Sequence, residues 1–355
     1  SGVWIMAYTT IDDPGLFFNS VLYTGNAGTQ SITGVGFQPD LLWIKCRGAA
    51  EIHTLVDSVR GDSGANTGYW YLSSADTSDD GSGSGNTLVS AIGSDGFSLG
   101  NNDRVNIAQP FVSWNWLGSN TTASNGNGSI TSTISVNTTS GFSIVKYQGT
   151  GANATVGHGL GAVPKIILFK SLANVISWIV YSSELNISSS NCLRLNGTNA
   201  AFTESAWNGT RPTTSVFSLG PHNEANNNSG ETIAYCFADV QGYSKSGSYT
   251  GNGSIDGTFV YTGFEPAFVM VKKTSATNNW VMMDNKRDPF NMRTEYLLAN
   301  DNTAEGTGLN FDFLSNGFKL KSNSGGTNTL AGTYIYMAFA ENPFVSSTGI
   351  PACAG

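Results

Sequence analysis

One pattern of residues occurs three times along this 355-residue sequence, and it constrains the fold more than any other feature. An apolar run that ends in lysine places that lysine at positions 45, 170 and 272, so the spacings are 125 and 102 residues. The phenylalanine of Gly-Phe-x-Leu or Val-Phe-x-Leu falls at 97, 217 and 318, with spacings of 120 and 101 residues. Because two independent landmarks give nearly the same offsets, the sequence contains an internal repeat of three copies.

The local pattern within each copy is typical of β-structure. Short segments rich in Val, Ile, Trp, Tyr and Phe are bounded by Gly, Asn, Ser and Pro, and the 43 glycines disfavour long helices. Asp95-Gly96 and Asn316-Gly317 predict tight hairpin turns, and the best helical candidates are only the short stretches 51–60 and 291–300. The sequence therefore predicts an all-β fold of three tandem β-sandwich-like modules, of jelly-roll or lectin-like type.

Polar, glycine-rich joints predict where the modules meet. Residues 119–128 have linker composition, and residues 241–248 form a shorter joint. The predicted modules are residues 1–118, 119–243 and 244–355, each long enough to bury its own core. Tandem modules with short joints are expected to form a rod or a compact string rather than one deep active site.

Charge excludes several partners. The formal net charge is −8, only 12% of residues are charged, and no cluster of Lys and Arg stands out. Nucleic acids and anionic membrane surfaces are bound through basic faces, so neither is an expected partner. No apolar run is long enough for a membrane-spanning helix, and membrane insertion is not expected.

Cysteine and histidine give no metal-binding pattern. Cys46, Cys192, Cys236 and Cys353 form no CxxC pair, and free, mostly buried thiols are favoured over a Cys192–Cys236 bridge. His53 lies in the first copy, and His158 and His222 lie in the second copy in different contexts. An Asp/Ser-rich loop that starts at Asp76 resembles a calcium loop but lacks its final glutamate, so an ordinary loop is favoured. No metal site and no cofactor are expected.

Two repeated pairs and three tryptophans are the candidate site residues. Asp-x-x-Arg occurs as Asp57 with Arg60 and as Asp284 with Arg287, and a structural ion pair is favoured over a catalytic acid. These pairs could also orient a contact between modules or subunits. Trp43, Trp114, Trp116 and Trp178 lie in strand-like runs and are assigned to the core. Trp70, Trp207 and Trp280 lie nearer to loops and are the candidate exposed platforms for stacking on sugar rings.

The sequence gives no catalytic signature. It contains no GxSxG elbow, HExxH, phosphate-binding P-loop or dinucleotide-binding glycine motif, and no pair of carboxylates in a repeated aromatic frame. We therefore predict a protein that is not an enzyme and has no catalytic residues.

The repeated string resembles a known family. Gly-Phe-x-Pro, the lysine-ending strand, Asp-x-x-Arg, Asp/Asn-Gly-Phe-x-Leu and the closing Ala338-Phe-Ala-Glu-Asn-Pro343 are similar to an uncharacterised repeat family in tailed-phage proteins, abundant in aquatic and cyanobacterial viruses. The second copy departs from the pattern because it lacks Asp-x-x-Arg.

The resemblance implies a bacteriophage virion structural protein on the particle surface, either a tail fibre or receptor-binding component or a capsid decoration. Its expected partners are other virion proteins and itself, as a homo-oligomer such as a trimer, with a host-surface glycan as a further ligand. The alternative is a secreted β-sandwich protein that binds or cleaves polysaccharide.

Overall fold

The computed structural model describes residues 7–63, 68–78, 81–82 and 88–351. Its regular structure is almost entirely strand, which confirms the predicted all-β class. Short helical turns span Pro14–Leu16, Asp103–Asn106, Ile187–Ser189 and Asn223–Asn226. In the part of the chain that the structure describes, no helix is long and apolar enough to cross a membrane.

The strands fall into three groups along the chain. The first strand group (18–116) contains β1 (Phe18–Thr24), β2 (Gln30–Thr33), β3 (Leu41–Cys46), β4 (Thr54–Asp57), β5 (Trp70–Leu72), β6 (Gly81–Ser82), β7 (Val89–Gly93), β8 (Gly96–Leu99) and β9 (Pro110–Trp116). The second strand group (123–238) contains β10 (Ala123–Asn125), β11 (Ser132–Asn137), β12 (Phe142–Gln148), β13 (Ala154–Gly157), β14 (Pro164–Ser171), β15 (Ile179–Ser182), β16 (Asn191–Arg194), β17 (Phe202–Thr203), β18 (Val216–Leu219) and β19 (Glu231–Ala238). The third strand group (244–343) contains β20 (Ser244–Thr250), β21 (Phe259–Tyr261), β22 (Phe264–Lys273), β23 (Trp280–Asp284), β24 (Arg293–Leu298), β25 (Gly306–Leu314), β26 (Gly317–Leu320) and β27 (Thr333–Pro343).

The same order of five antiparallel strands occurs in every group. It is β1-β9-β3-β4-β5 in the first, β12-β19-β14-β15-β16 in the second and β20-β27-β22-β23-β24 in the third. The strand that closes each group lies between the strand that begins this order (β1, β12 or β20), which is called the group's first strand below, and the lysine-ending strand. Equivalent residues of the groups can therefore be matched by their pairing register.

A smaller set of strands accompanies each group. β2-β8-β7 and β13-β18 are separate sheets, whereas β25-β26-β21 continues the large sheet of the third group. Two-residue turns close the β7–β8 and β25–β26 hairpins, where Gly93 pairs with Gly96 and Leu314 with Gly317. This confirms the two predicted hairpin turns. The φ angle of Gly96 is +150°, and a Cβ there would lie 2.0 Å from the Ile32 oxygen, so glycine is required.

One hydrophobic core is shared by all three groups. Of the four hydrophobic core clusters, three are each confined to one group, and the fourth contains buried side chains from every group. At equivalent positions in the closing strands, Trp116, Phe237 and Phe339 form a triangle with ring centroids 5.7–6.2 Å apart. The chain is thus arranged around an approximate threefold axis. The expected rod or string is wrong, because each large sheet buries one face against the other two.

Two further features differ from the local reading of the sequence. The helical candidates 51–60 and 291–300 contain β4 and β24, because pairing with neighbouring strands overrides weak helical preference. The predicted linker contains β10, which pairs with β11, and the predicted joint at 241–248 contains the start of β20. Polar composition did not distinguish an edge strand from a linker.

Candidate functional site

The lysines that mark the repeat are buried at the boundaries between strand groups. Lys45, Lys170 and Lys272 each have no exposed surface. Their Nζ atoms donate to backbone oxygens of a neighbouring group: Lys45 to Asn302 at 3.2 Å, Lys170 to Thr77 at 3.3 Å and Lys272 to Thr198 at 3.0 Å. The first group thus contacts the third, the second the first, and the third the second, so these bonds close a ring.

Burial destabilises the charged form of two of these lysines. Burial lowers the pKa of Lys45 and of Lys272 from the ordinary value to about 8. Lys45 also donates to Cys46 O at 2.7 Å, and Lys272 donates to Asn278 O at 2.6 Å. The amines are therefore internal donors to backbone carbonyls.

A second ring of contacts runs through one aromatic position per group. Trp178 Nε1 donates to Ser73 O at 2.7 Å, and Trp280 Nε1 donates to Arg194 O at 2.9 Å. These bonds follow the same direction around the axis as the lysine bonds. Trp280 is 1% exposed, so its prediction as a sugar platform is wrong: the indole is needed inside the boundary.

His53 takes the corresponding place in the first group. Trp43 Nε1 donates to His53 Nδ1 at 2.8 Å, so the imidazole proton lies on Nε2, which is 2.9 Å from Leu298 O. Burial, with a smaller contribution from the Lys45 charge, lowers the pKa of His53 to about 3. A neutral, fully bonded imidazole completes the ring.

The two Asp-x-x-Arg pairs are internal. Asp57 Oδ2 lies 2.5 Å from Arg60 Nε, and Asp284 Oδ2 lies 2.5 Å from Arg287 Nε. The other carboxylate oxygen accepts from the backbone nitrogen of the arginine in each case. All four side chains are at most 1% exposed. The pairs close the turns after β4 and β23, as the structural interpretation proposed.

Each aspartate also accepts a hydrogen bond from another group. Tyr235 Oη donates to Asp57 Oδ2 at 2.7 Å, and Trp114 Nε1 donates to Asp284 Oδ2 at 3.0 Å. By register, Ser182 stands where the aspartates stand, and Met337 stands where the donors stand. The boundary between the second and third groups therefore lacks both the aspartate and its hydrogen-bond donor.

A charged cluster lies at the boundary of the first and third groups. Glu305 bridges two arginines: Arg47 Nη2 is 2.7 Å from its Oε2, and Arg287 Nη1 is 2.7 Å from its Oε1. Arg47 also lies 3.0 Å from Glu295. The cluster extends the ion pair of Asp284 toward the surface.

Each group contains a buried asparagine that was not predicted from the sequence. Asn106, Asn226 and Asn328 have almost fully buried amides that bond the loop after the first strand of their group. Their spacings of 120 and 102 residues match the other landmarks, so alignment of the copies could have found them. Tyrosines at 23, 147 and 249 donate to the carbonyl just before each asparagine, at 2.5–2.8 Å.

The remaining tryptophan candidates differ in exposure. Trp207 is 2% exposed, packs on Phe169 and Tyr181, and donates to Asn191 O at 3.1 Å, so it cannot be a sugar platform. Trp70 is partly exposed and lines a surface cavity of about 300 Å³. Its role as a platform stays a prediction. Trp43, Trp114, Trp116 and Trp178 are buried, as predicted.

A second surface cavity, of about 380 Å³, opens where the N-terminal segment meets the second and third groups. It is lined by Tyr8, Asp239, Gln241, Ser244, Lys245, Tyr261, Thr262 and Gly263. Lys245 Nζ lies 3.9 Å from Asp239 Oδ2. Burial raises the pKa of Asp239. The cavity thus combines two phenol rings with groups that donate and accept hydrogen bonds.

The other reactive side chains are dispersed. Among the described residues, no three His, Cys, Asp or Glu side chains converge as a metal site would require. Cys46, Cys192 and Cys236 are free and buried, as favoured from the sequence, and Cys353 lies outside the described residues. His158 is buried and lies 3.1 Å from Thr213 O. Asp76 accepts from the Ser78 nitrogen, and the rest of that loop is only partly described.

Comparison with known proteins gives one match, to a protein family. No curated protein matches the chain. The model of a family described as a domain of unknown function, DUF7483, matches residues 13–343, which include every strand described above. The chain therefore belongs to the DUF7483 family.

Proposed function

We propose that this chain consists of three tandem β-sandwich-like modules and serves as a non-enzymatic structural protein on the surface of a phage virion. The observation that carries the proposal is the location of the ionisable groups. The repeated lysines, both Asp-x-x-Arg pairs and His53 are buried at the boundaries between groups, where they bond backbone or one another. Side chains used in this way hold a scaffold together.

The shared core supports a rigid unit. Each large sheet packs on the other two, so one group cannot move without opening aromatic contacts such as Trp116 with Phe237 and Phe339. A building block of a particle needs this resistance to local opening. The resemblance to the tailed-phage repeat supports the virion as the location, with a tail fibre, a receptor-binding component or a capsid decoration as the candidate positions.

The experiment is to locate the chain on particles of a virus that encodes it. Washed particles are analysed by mass spectrometry and labelled with antibody for electron microscopy. We expect several copies per particle, with label either at the tail or over the capsid. Absence of the chain from washed particles, with recovery in the culture supernatant, would refute the proposal.

The oligomer is part of the proposal. We expect the purified chain to associate with itself, as a trimer or another homo-oligomer, and with other virion proteins. Light scattering after size exclusion measures the mass. A monomer at all concentrations, without binding to purified particle proteins, argues against this part.

The second candidate is a secreted protein that binds or cleaves polysaccharide. The two cavities lined by aromatic and charged side chains favour it. Incubation with capsular and cell-wall polysaccharides, followed by measurement of new reducing ends, separates the candidates. Steady release of reducing ends favours the secreted enzyme and contradicts the non-enzymatic proposal.

A further inference from the structure

The cavity beside Tyr261 has the make-up of a binding site for a small polar ring. Tyr8 and Tyr261 bring their hydroxyl oxygens to 3.3 Å from each other, and Tyr8 Oη also donates to Gly263 O at 2.7 Å. The Tyr8 ring is further held by an edge contact with Phe344, at a centroid distance of 6.5 Å. Contacts within the chain therefore place two aromatic rings at the cavity, and Tyr261 is 53% exposed.

The polar side of the cavity offers both signs of charge. Asp239 accepts from the Ser246 nitrogen at 2.7 Å through Oδ1, and its other oxygen faces Lys245 at 3.9 Å. Gln241 adds an amide, which both donates and accepts. Sugar hydroxyls also donate and accept, and sugar C–H groups pack on aromatic faces. The lining therefore matches a pyranose better than it matches a uniformly charged or a purely apolar ligand.

The other strand groups provide an internal comparison. By register, Tyr261 corresponds to Thr33 in β2 and to Gly157 in β13. On the same face, two residues earlier, Phe259 corresponds to Ser31 and Thr155. The inward residue between them is apolar in all three strands: Ile32, Val156 and Val260.

The fold therefore requires only the inward residue at this place. Phe259 and Tyr261, which are 44% and 53% exposed, have small counterparts in the other two groups. Exposed aromatic side chains that packing does not require indicate a binding surface.

We infer that the cavity between Tyr8, Tyr261 and Asp239 is a carbohydrate-binding site that takes one or two pyranose rings, with Phe259 extending the platform. About 380 Å³ falls in the size range of small-molecule sites. The inference deepens the proposed function by naming a ligand class for a surface protein, but binding by the purified chain does not depend on attachment to a particle.

The test uses the full chain and a defined set of soluble oligosaccharides. Maltotriose, mannotriose, chitotriose, lactose and trigalacturonic acid are titrated and observed by saturation-transfer NMR. We expect saturable binding of at least one sugar. Tyr261→Ala is expected to weaken it about tenfold or more, because the stacking face is lost, and Asp239→Asn is expected to weaken it through loss of a charged acceptor.

The matched control is Thr33→Ala, which alters the equivalent position of the first strand group and should leave affinity within about twofold. Thermal unfolding confirms that each variant folds. No saturable binding of any sugar in the set overturns the inference, as does equal affinity of Tyr261→Ala and the parent. Self-association that Tyr261→Ala abolishes would instead identify the site as a contact between copies. Particle location is measured separately, so the two proposals can fail independently.

Discussion

The hydroxyl of Tyr235 donates a 2.7 Å hydrogen bond to Oδ2 of Asp57, a carboxylate 178 residues away that is already paired with Arg60. The bond joins the closing strand of the second group to the turn of the first. Trp114 likewise donates to Asp284 and joins the closing strand of the first group to the turn of the third. The ion pairs predicted from the sequence therefore also hold strand groups together.

Removal of the Tyr235 hydroxyl tests this role. Tyr235→Phe leaves a buried carboxylate short of one donor, so we expect a loss of about 1–3 kcal/mol in the free energy of unfolding. Tyr243→Phe is the matched control, because the Tyr243 hydroxyl is buried and has no hydrogen-bond partner among the residues that the structure describes. Its removal should cost nothing or stabilise the fold. Urea denaturation of both variants gives the comparison, and equal losses would show that the Asp57 bond contributes nothing specific.

The buried lysines predict a contribution to stability that rises with pH. Burial lowers the pKa of Lys45 and Lys272 to about 8, against roughly 10.4 in an unfolded chain. Between these values the unfolded state binds more protons at both lysines, so their contribution to the free energy of unfolding increases with pH. Above roughly pH 8.5 the raised thiol pKa values of Cys46, Cys192 and Cys236 act in the opposite direction, and above about pH 10 buried tyrosines such as Tyr23 add to that decrease, because only the unfolded state then loses these protons. The lysine contribution is therefore measured as the difference between the parent and a lysine variant.

Urea denaturation at half-unit steps from pH 7 to pH 11 measures this curve. Lys272→Met should have a lower slope between pH 8 and 10 than the parent, because one lysine contribution is lost, whereas Lys286→Met, at a side chain that is 40% exposed, should keep the parent's slope. The interpretation fails if both variants keep the parent's slope.

His53 predicts a loss of stability in acid. Burial lowers its pKa to about 3, so the neutral imidazole contributes stability that is complete above roughly pH 6.5. As the pH falls from 6.5 toward 3, the unfolded state takes up a proton that the folded state excludes, and a few kcal/mol are lost. His53→Gln cannot take up that proton. The variant should be less stable than the parent at pH 7 and show a shallower decline to pH 4.5; parallel curves would contradict the assignment.

A glycine after the first strand of each group is required by close approach. At Gly149 an added Cβ would lie 2.3 Å from the Asn227 oxygen, and Gly25 and Gly251 meet equivalent carbonyls at 1.9 and 2.3 Å. Gly149→Ala should therefore cost about 1–3 kcal/mol through displaced backbone. Gly126→Ala is the control and should change the melting temperature little, because an added Cβ there would have no described residue within 4 Å. A similar melting temperature for both variants would show that the loop yields freely.

Some of this architecture could be predicted from the sequence, and some could not. The spacing of the lysines fixed the three copies, and β-rich segments with Asp-Gly and Asn-Gly turns fixed the class, because both signals are local. The shared core could not be predicted, since an outward and an inward apolar face look alike in a strand such as β3, which is buried on both sides. Trp280 near a loop suggested exposure, but its position at a boundary between groups depends on long-range packing.

The aromatic triangle predicts that the three strand groups unfold together. Trp116, Phe237 and Phe339 come from different groups and contact one another. Loss of any one ring therefore removes packing contacts from the core that all three groups share. Phe237→Ala should cost about 3–5 kcal/mol and lower the midpoint of a single calorimetric transition.

The matched change is Phe217→Ala, which lies in the core cluster confined to the second group. It should also destabilise, but its loss leaves the triangle intact. If the groups were independent, both variants would shift only one of several transitions and leave the others at the parent's temperature. A shared core requires that Phe237→Ala unfold in one calorimetric transition with a lower midpoint temperature. The reason is that the core contributes to the stability of all three groups, so none of them can unfold separately.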